Sequence, residues 1–167
     1  MADAVRISEK KDFAMAAILA RRGASAATIG EAMSADLPLG PRWIANGSIV
    51  VLGSGPGTWL AQREDVDPSW IGDLQGRLVG LASVSDQSGA YRVFWIEGSG
   101  ARTLLQRGAA VDLDESAFPA GSVAFTVIAH LDVIIRRLEE ADRYELAVYR
   151  SSAEAFVRWL SAARDGL

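Results

Sequence analysis

Cysteine is absent from this sequence, which excludes disulfides, thiolate metal cages and thiol nucleophiles. That fits a cytoplasmic protein. Histidine occurs once, at position 130, so a metal site would rest on one imidazole and scattered carboxylates without ligand spacing. Basic excess is missing too: the net charge is −4 and the pI about 5.0, leaving nothing to draw in a nucleic-acid backbone. No apolar run reaches membrane-spanning length. The longest candidate, Val123–Ile135, is interrupted by Thr126, His130 and Asp132. Lys10-Lys11 followed by Phe13–Ala20 imitates a secretory signal. That stretch is short, follows Asp12 and runs into Arg21-Arg22, so no signal is expected.

What is present is apolar. Half of the 167 residues are hydrophobic, which excludes disorder. A chain of this length buries roughly 70% of its unfolded surface. Phe13–Ala20 reads as a buried strand or a short helix. Residues 25–35 read as a helix capped by Ser25, with Ile29, Ala32 and Met33 on one side. Pro38 and Pro41 bracket a turn. Short strands follow at Ile49–Leu52 and Trp59–Gln62. Residues 68–80 form a helix capped by Asp67, with Pro68 at its first position and Trp70, Ile71, Leu74 and Leu78 on one face. Leu81–Val84 returns as a strand.

Gly89 opens a second half. Residues 91–96 alternate as a strand, and Ala101, Leu104 and Leu105 keep helical spacing up to Gly108. Strands at 122–129, 131–138 and 144–149 precede a last helix. There Ser151 and Glu154 form a capping box, and Phe156, Trp159, Leu160 and Ala163 form a buried stripe. The expected fold is α+β: two ferredoxin-like split βαβ units with mainly antiparallel sheet. Residues 1–88 make a first βαββαβ unit and 89–167 a second α+β unit, together one compact globular domain.

The stretch Ser48–Leu60, SIVVLGSGPGTWL, imitates a dinucleotide-binding turn. Such a turn needs G-x-G-x-x-G between a strand and a long helix, with an acidic residue about 20 positions on at a strand end. Gly53 and Gly55 supply two glycines, but the third position is Thr58 and Gly57 comes one place early. Gln62-Arg63-Glu64-Asp65 and Pro68 leave no room for the helix. A tight turn between adjacent strands explains the glycines instead.

Other chemistry is sparse. His130 reads as a structural or interface residue, and no G-x-S-x-G elbow accompanies it. Asp112, Asp114 and Glu115 cluster in a loop and read as solvated or capping acids. Asp73 and Arg77 read as a helix-surface pair. Arg136-Arg137 opposite Glu139-Glu140 reads as a hairpin end of mixed charge. No catalytic, cofactor-binding or metal residue is assigned. Both alternating sets in 91–96 and 122–135 carry large apolar side chains, so the second sheet face wants cover, from the other unit or from another protein. Trp43, Trp59 and Trp95 read as core or interface residues, and the exposed members of that set are the candidate anchors.

An ordered set of landmarks resembles the gamma subunit of heterotetrameric sarcosine oxidases. It comprises Gly55-Pro56-Gly57-Thr58-Trp59-Leu60, Asp86-Gln87-Ser88, Gly98 with Ala101, Leu104, Leu105 and Gly108, then Asp112-Leu113 and Phe118-Pro119-Ala120-Gly121. Thr126, Arg150-Ser151 and Trp159-Leu160 close it. Gly98-Ser99 departs from the glycine-proline pair common in that family.

The resemblance implies a fold similar to folate-binding glycine-cleavage aminomethyltransferases. It also implies a cofactor-free subunit packing chiefly against alpha, within a complex of alpha, beta, gamma and delta chains. FAD, FMN, NAD and the tetrahydrofolate site would belong to alpha and beta, and zinc to delta. The complex would oxidatively demethylate sarcosine or a related N-methylated amine. The rival expectation is a free-standing folate-binding or one-carbon-transfer domain.

Overall fold

The computed structural model describes residues 4–140 and 142–166. In chain order its elements are β1 (Arg6–Lys10), β2 (Ala14–Ala20), α1 (Ala26–Met33), β3 (Trp43–Asn46), β4 (Ile49–Gly55), β5 (Thr58–Arg63), α2 (Trp70–Arg77) and β6 (Ala82–Asp86). There follow β7 (Tyr91–Glu97), α3 (Ala101–Gln106), β8 (Val123–Ile128), β9 (Leu131–Arg137), β10 (Arg143–Tyr149) and α4 (Ala153–Asp165). A single 3-10 turn, Arg150–Ser152, leads into α4. The fold is α+β, with two five-stranded antiparallel sheets.

The chain divides into two compact units. One is Asp12–Gly89; the other is the chain from Ala90 onward together with the segment up to Lys11. The sequence reading places all of residues 1–88 in the first unit. In the structure β1 instead pairs with β7, from Arg6 opposite Glu97 to Lys10 opposite Val93. Its mixed composition, Arg-Ile-Ser-Glu-Lys, carries no hydrophobic alternation that would reveal either the strand or its sheet.

The Asp12–Gly89 unit orders its strands β3-β4-β5-β2-β6. Both β5 and β6 are antiparallel to β2, so they run the same way and α2 connects them across it. This is a split βαβ. Period-two alternation sends Ala14, Ala16 and Ile18 of β2 into one cluster with Val51, Trp59 and Ala61, where Ile29 and Met33 of α1 and Trp70 and Leu74 of α2 join them. Ser25 caps α1 as expected, its Oγ accepting from Thr28 N at 3.1 Å. At α2 the cap shifts: Ser69 is the N-cap, and Asp67 instead accepts from the Ser69 amide at 3.0 Å and hydroxyl at 2.8 Å.

The second unit orders its strands β8-β9-β10-β7-β1. Element by element it repeats the first: strand, helix, three strands, helix, strand, with β1 occupying the place that β6 holds in the other sheet. Its core joins Phe94 and Ile96 of β7, Tyr144, Leu146 and Val148 of β10, and Val133 and Ile135 of β9. Leu104 and Leu105 of α3 and Phe156 and Leu160 of α4 complete it. Each such buried side chain contributes roughly 1.5–3 kcal/mol. The expected capping box at α4 does not form. Ser152 is the N-cap without a side-chain bond, and Glu154 binds Arg92 of β7 at 2.6 Å.

Candidate interaction surface

The face of the second sheet opposite α3 and α4 is set by parity. Tyr91, Val93 and Trp95 share it with Glu145, Ala147 and Tyr149, with Asp132, Ile134 and Arg136, and with Phe125 and Val127, through the strand registers. It is divided in character. Toward one end lies a buried charge cluster, in which Arg136 Nε and Nη2 both donate to the Glu145 carboxylate at 3.0 Å. Lys10 Nζ stands 3.6 Å from the same carboxylate, and Trp95 Nε1 donates to it at 2.8 Å. Lys10 and Arg143 each lie 5.4 Å from the Trp95 ring centre. Burial alone would raise the Glu145 carboxyl's pKa; the charges of Arg136 and Lys10 and the donated hydrogen bonds outweigh it and hold the group below its ordinary value.

Toward the other end the face is apolar and open. A groove of about 520 Å³ is lined by Tyr91, Phe125, Val127, Asp132, Ala147 and Tyr149, among others. Phe125, Val127 and Tyr149 are 46%, 36% and 43% exposed, whereas Ile134 and Ala147 are buried. The Tyr91 and Tyr149 rings stack with centroids 4.9 Å apart. Burial, then the neighbouring Tyr149, pushes the Tyr91 phenol well above its ordinary range, so it stays protonated. Three exposed bulky side chains around one depression suit binding of an apolar surface.

The residues singled out from the sequence take other places. The glycine run is a β4–β5 hairpin: Gly55 pairs with Thr58 across Pro56-Gly57, and Gly57 takes φ +68°. Proline followed by a positive-φ glycine is the order a type II turn requires. Gly53 is needed for a different reason, since a Cβ there would lie 2.1 Å from the Gly40 carbonyl oxygen. Trp59 is core, its Nε1 donating to the Pro38 carbonyl at 2.8 Å. Trp43 and Trp95 are half-buried, so none of the three tryptophans is an exposed anchor.

His130 sits exposed at the tip of the β8–β9 hairpin, where Ala129 and His130 both take positive φ. Asp112 accepts from the Asp114 amide at 2.9 Å, and Asp114 accepts from the Ser116 amide and hydroxyl and meets Arg102 at 3.3 Å. Glu115 lies 3.8 Å from Arg137. Asp73 accepts from Ser69 at 3.4 Å. Arg136 and Arg137 are not a charged hairpin end: both are buried, on opposite faces, and Arg137 donates to the Phe118 carbonyl at 3.0 Å. Among the described residues no group of three or more His, Asp or Glu could hold a metal ion, and no helix is long and apolar enough to cross a membrane.

Sequence reasoning missed Phe125, Val127 and Tyr149 as surface residues. The available signal was the doubly apolar alternation of 122–135; which members stay uncovered depends on the sheet order, which alternation does not encode.

The family model for the sarcosine oxidase gamma subunit matches residues 19–165. A chain of the heterotetrameric sarcosine oxidase from Corynebacterium sp. U-96, solved in complex with pyrrole 2-carboxylate, aligns over 99% of this chain and 86% of its own length, with a TM-score of 0.90 and 25% identity. The glycine cleavage system aminomethyltransferase T from Bartonella henselae aligns over 98% of this chain and 50% of its own length, with a TM-score of 0.68 and 16% identity, a likeness of fold. No curated protein gives a significant match.

Proposed function

The chain belongs to the sarcosine oxidase gamma subunit family, and on that premise we propose that it is a non-catalytic, structural subunit of a heterotetrameric flavoenzyme that oxidatively demethylates sarcosine or a related N-methylated amine. Its work is to present a rigid surface to partner subunits, chiefly alpha. FAD, FMN, NAD, tetrahydrofolate and zinc belong to the alpha, beta and delta chains on this reading, and the assembly is cytoplasmic. The observation that carries the proposal is agreement with a sarcosine oxidase chain over 99% of this chain at a TM-score of 0.90.

The roles of the landmark residues support it. Trp59 is pinned to Pro38, and Ser88 both accepts from the Met15 amide at 3.0 Å and lies beside the amide-binding carboxylate of Asp86. Leu113 is fully buried, with its amide bound by Gln106. These side chains shape the fold.

Purification of the tagged chain from cells expressing the complete complex tests the proposal. Recovery with flavin-bearing partner chains is expected, while the isolated chain titrated with tetrahydrofolate in a calorimeter gives no heat of binding. Tight tetrahydrofolate binding by the isolated chain, with no partner recovered, would favour the free-standing folate domain instead.

A further inference from the structure

Leu39 is 89% exposed, more than any other bulky apolar side chain among the described residues. A leucine in water is ordinary on a loose loop tip. Here the backbone around it is fastened. Ala35 N donates to Gly30 O at 2.9 Å as the segment leaves α1. The Asn46 side chain of β3 then accepts from the Asp36 amide at 2.8 Å and donates to the Asp36 carbonyl at 3.2 Å. Pro38 is buried, and its carbonyl takes the Trp59 indole N–H at 2.8 Å. Beyond it Gly40 backs onto Gly53 of β4, whose N donates to Arg42 O at 2.9 Å. Pro38 and Pro41 also hold φ on either side of the leucine. Leu39 is a rigid apolar knob, set in place before any partner arrives, so little ordering cost is left for binding.

The knob stands at the rim of a depression of about 590 Å³ beside α1, lined by Gly30, Ser34, Leu37 and Asn46 among others. Glu31 and Asp36 line it too, both exposed, and no lysine or arginine does. Neither acid has an ion-pair partner among the described residues. Charge decides what fits. Phosphate backbones and anionic lipid are repelled. A second copy docking face to face would set these carboxylates against their own equivalents, on chains that each carry −4. An apolar protein segment flanked by lysine or arginine matches both features.

We propose that the Leu39 knob and the depression beside it dock a different chain of the oxidase complex. That chain closes apolar side chains around Leu39 and sets a lysine or arginine against Glu31 and Asp36. Leu39 supplies affinity as the desolvated anchor, and the carboxylates supply orientation and speed of encounter. Trp59 then serves assembly at one remove, by holding the knob through Pro38. The inference rests on the subunit reading given above and names the surface through which it acts.

The test uses the full chain and the complete complex. Affinity for the remaining subunits is measured for wild type, Leu39→Ala, Glu31→Lys combined with Asp36→Lys, and Val79→Ala. Hydroxyl-radical labelling of Leu39 is compared between the free chain and the assembly. All four positions are exposed, so these changes do not threaten folding. Val79, 78% exposed in the turn after α2, is the reference for an exposed apolar residue outside the site. Leu39→Ala is expected to bind on the order of tenfold more weakly. The double charge reversal is expected to slow association and flatten its salt dependence. Val79→Ala is expected to bind as wild type does, and Leu39 labelling to fall several-fold on assembly.

If wild type assembles while Leu39 labels as in the free chain and Leu39→Ala binds at full strength, the docking proposal is overturned and the subunit reading stands. If Val79→Ala weakens assembly as much as Leu39→Ala, exposed apolar area in general is at work and the proposal is overturned as well. If wild type joins no partner, both fall. If the pure chain self-associates with loss of Leu39 labelling, the occupant is a second copy and the proposal of a different chain is overturned.

Discussion

Glu145 gathers a two-pronged bond from Arg136, the Trp95 indole and the Lys10 ammonium, all at under a tenth exposure except the half-buried indole. Removing the charge leaves Arg136 and Lys10 buried against a neutral amide. Glu145→Gln is expected to destabilise the protein by roughly 3–5 kcal/mol, measured by urea unfolding. The pH dependence has a definite sign. Because the folded-state pKa is depressed below the ordinary 4.5, Glu145 stabilises the fold above that value, and the contribution is lost as pH falls through the lower folded-state pKa. Unfolding free energy measured between pH 3 and 6 is expected to fall less steeply toward acid in Glu145→Gln than in wild type. This cluster was not legible in the sequence. Arg136-Arg137 reads as part of a hairpin end of mixed charge until the register sets Arg136 opposite Glu145 and sends the two side chains to opposite faces.

The β4–β5 hairpin shows why its glycines are not equivalent. At Gly53 an added Cβ meets a backbone carbonyl at 2.1 Å, while at Gly55 it meets only the end of the Thr58 side chain at 3.0 Å. Gly53→Ala is expected to cost about 1–3 kcal/mol or more, because backbone has to move, and Gly55→Ala far less. Thermal melting checks the order. Trp59 emission is expected to shift in Gly53→Ala alone, since the same loop holds the Trp59 bond to Pro38. Strands and helices with strong periodicity were legible: β7 through β10 and α4 sit within a residue or two of where the pattern puts them, and the hairpin is recovered with β4 running three residues further, to Gly55. The elements that were not, β1 and β3, are sheet edges. Half their neighbours are solvent, so their side chains obey no apolar alternation, and Trp43-Ile44-Ala45-Asn46 is too short to show one.

The two units share one topology, yet they are completed differently. Asp12–Gly89 closes its sheet with the strand that comes last in its own segment, whereas the other sheet takes its last strand from the opposite end of the chain. A chain lacking residues 1–11 loses both a β7 partner and the Lys10 charge beside Glu145. Hydrogen exchange is expected to accelerate most in the amides of Val93–Glu97, and unchanged protection there would refute the dependence. The sequence order of elements made the repeat visible, six in the first half and six in the second. What it concealed was one missing strand in each: β3, and the final strand that β1 provides. Order along the chain also becomes order in time. During ribosomal synthesis β1 emerges well before β7 and has no sheet to join until its mate at Tyr91–Glu97 has been made. Its Arg-Ile-Ser-Glu-Lys makeup keeps it hydrated through that wait, and a strand made well before its mate is the one that locks in afterwards.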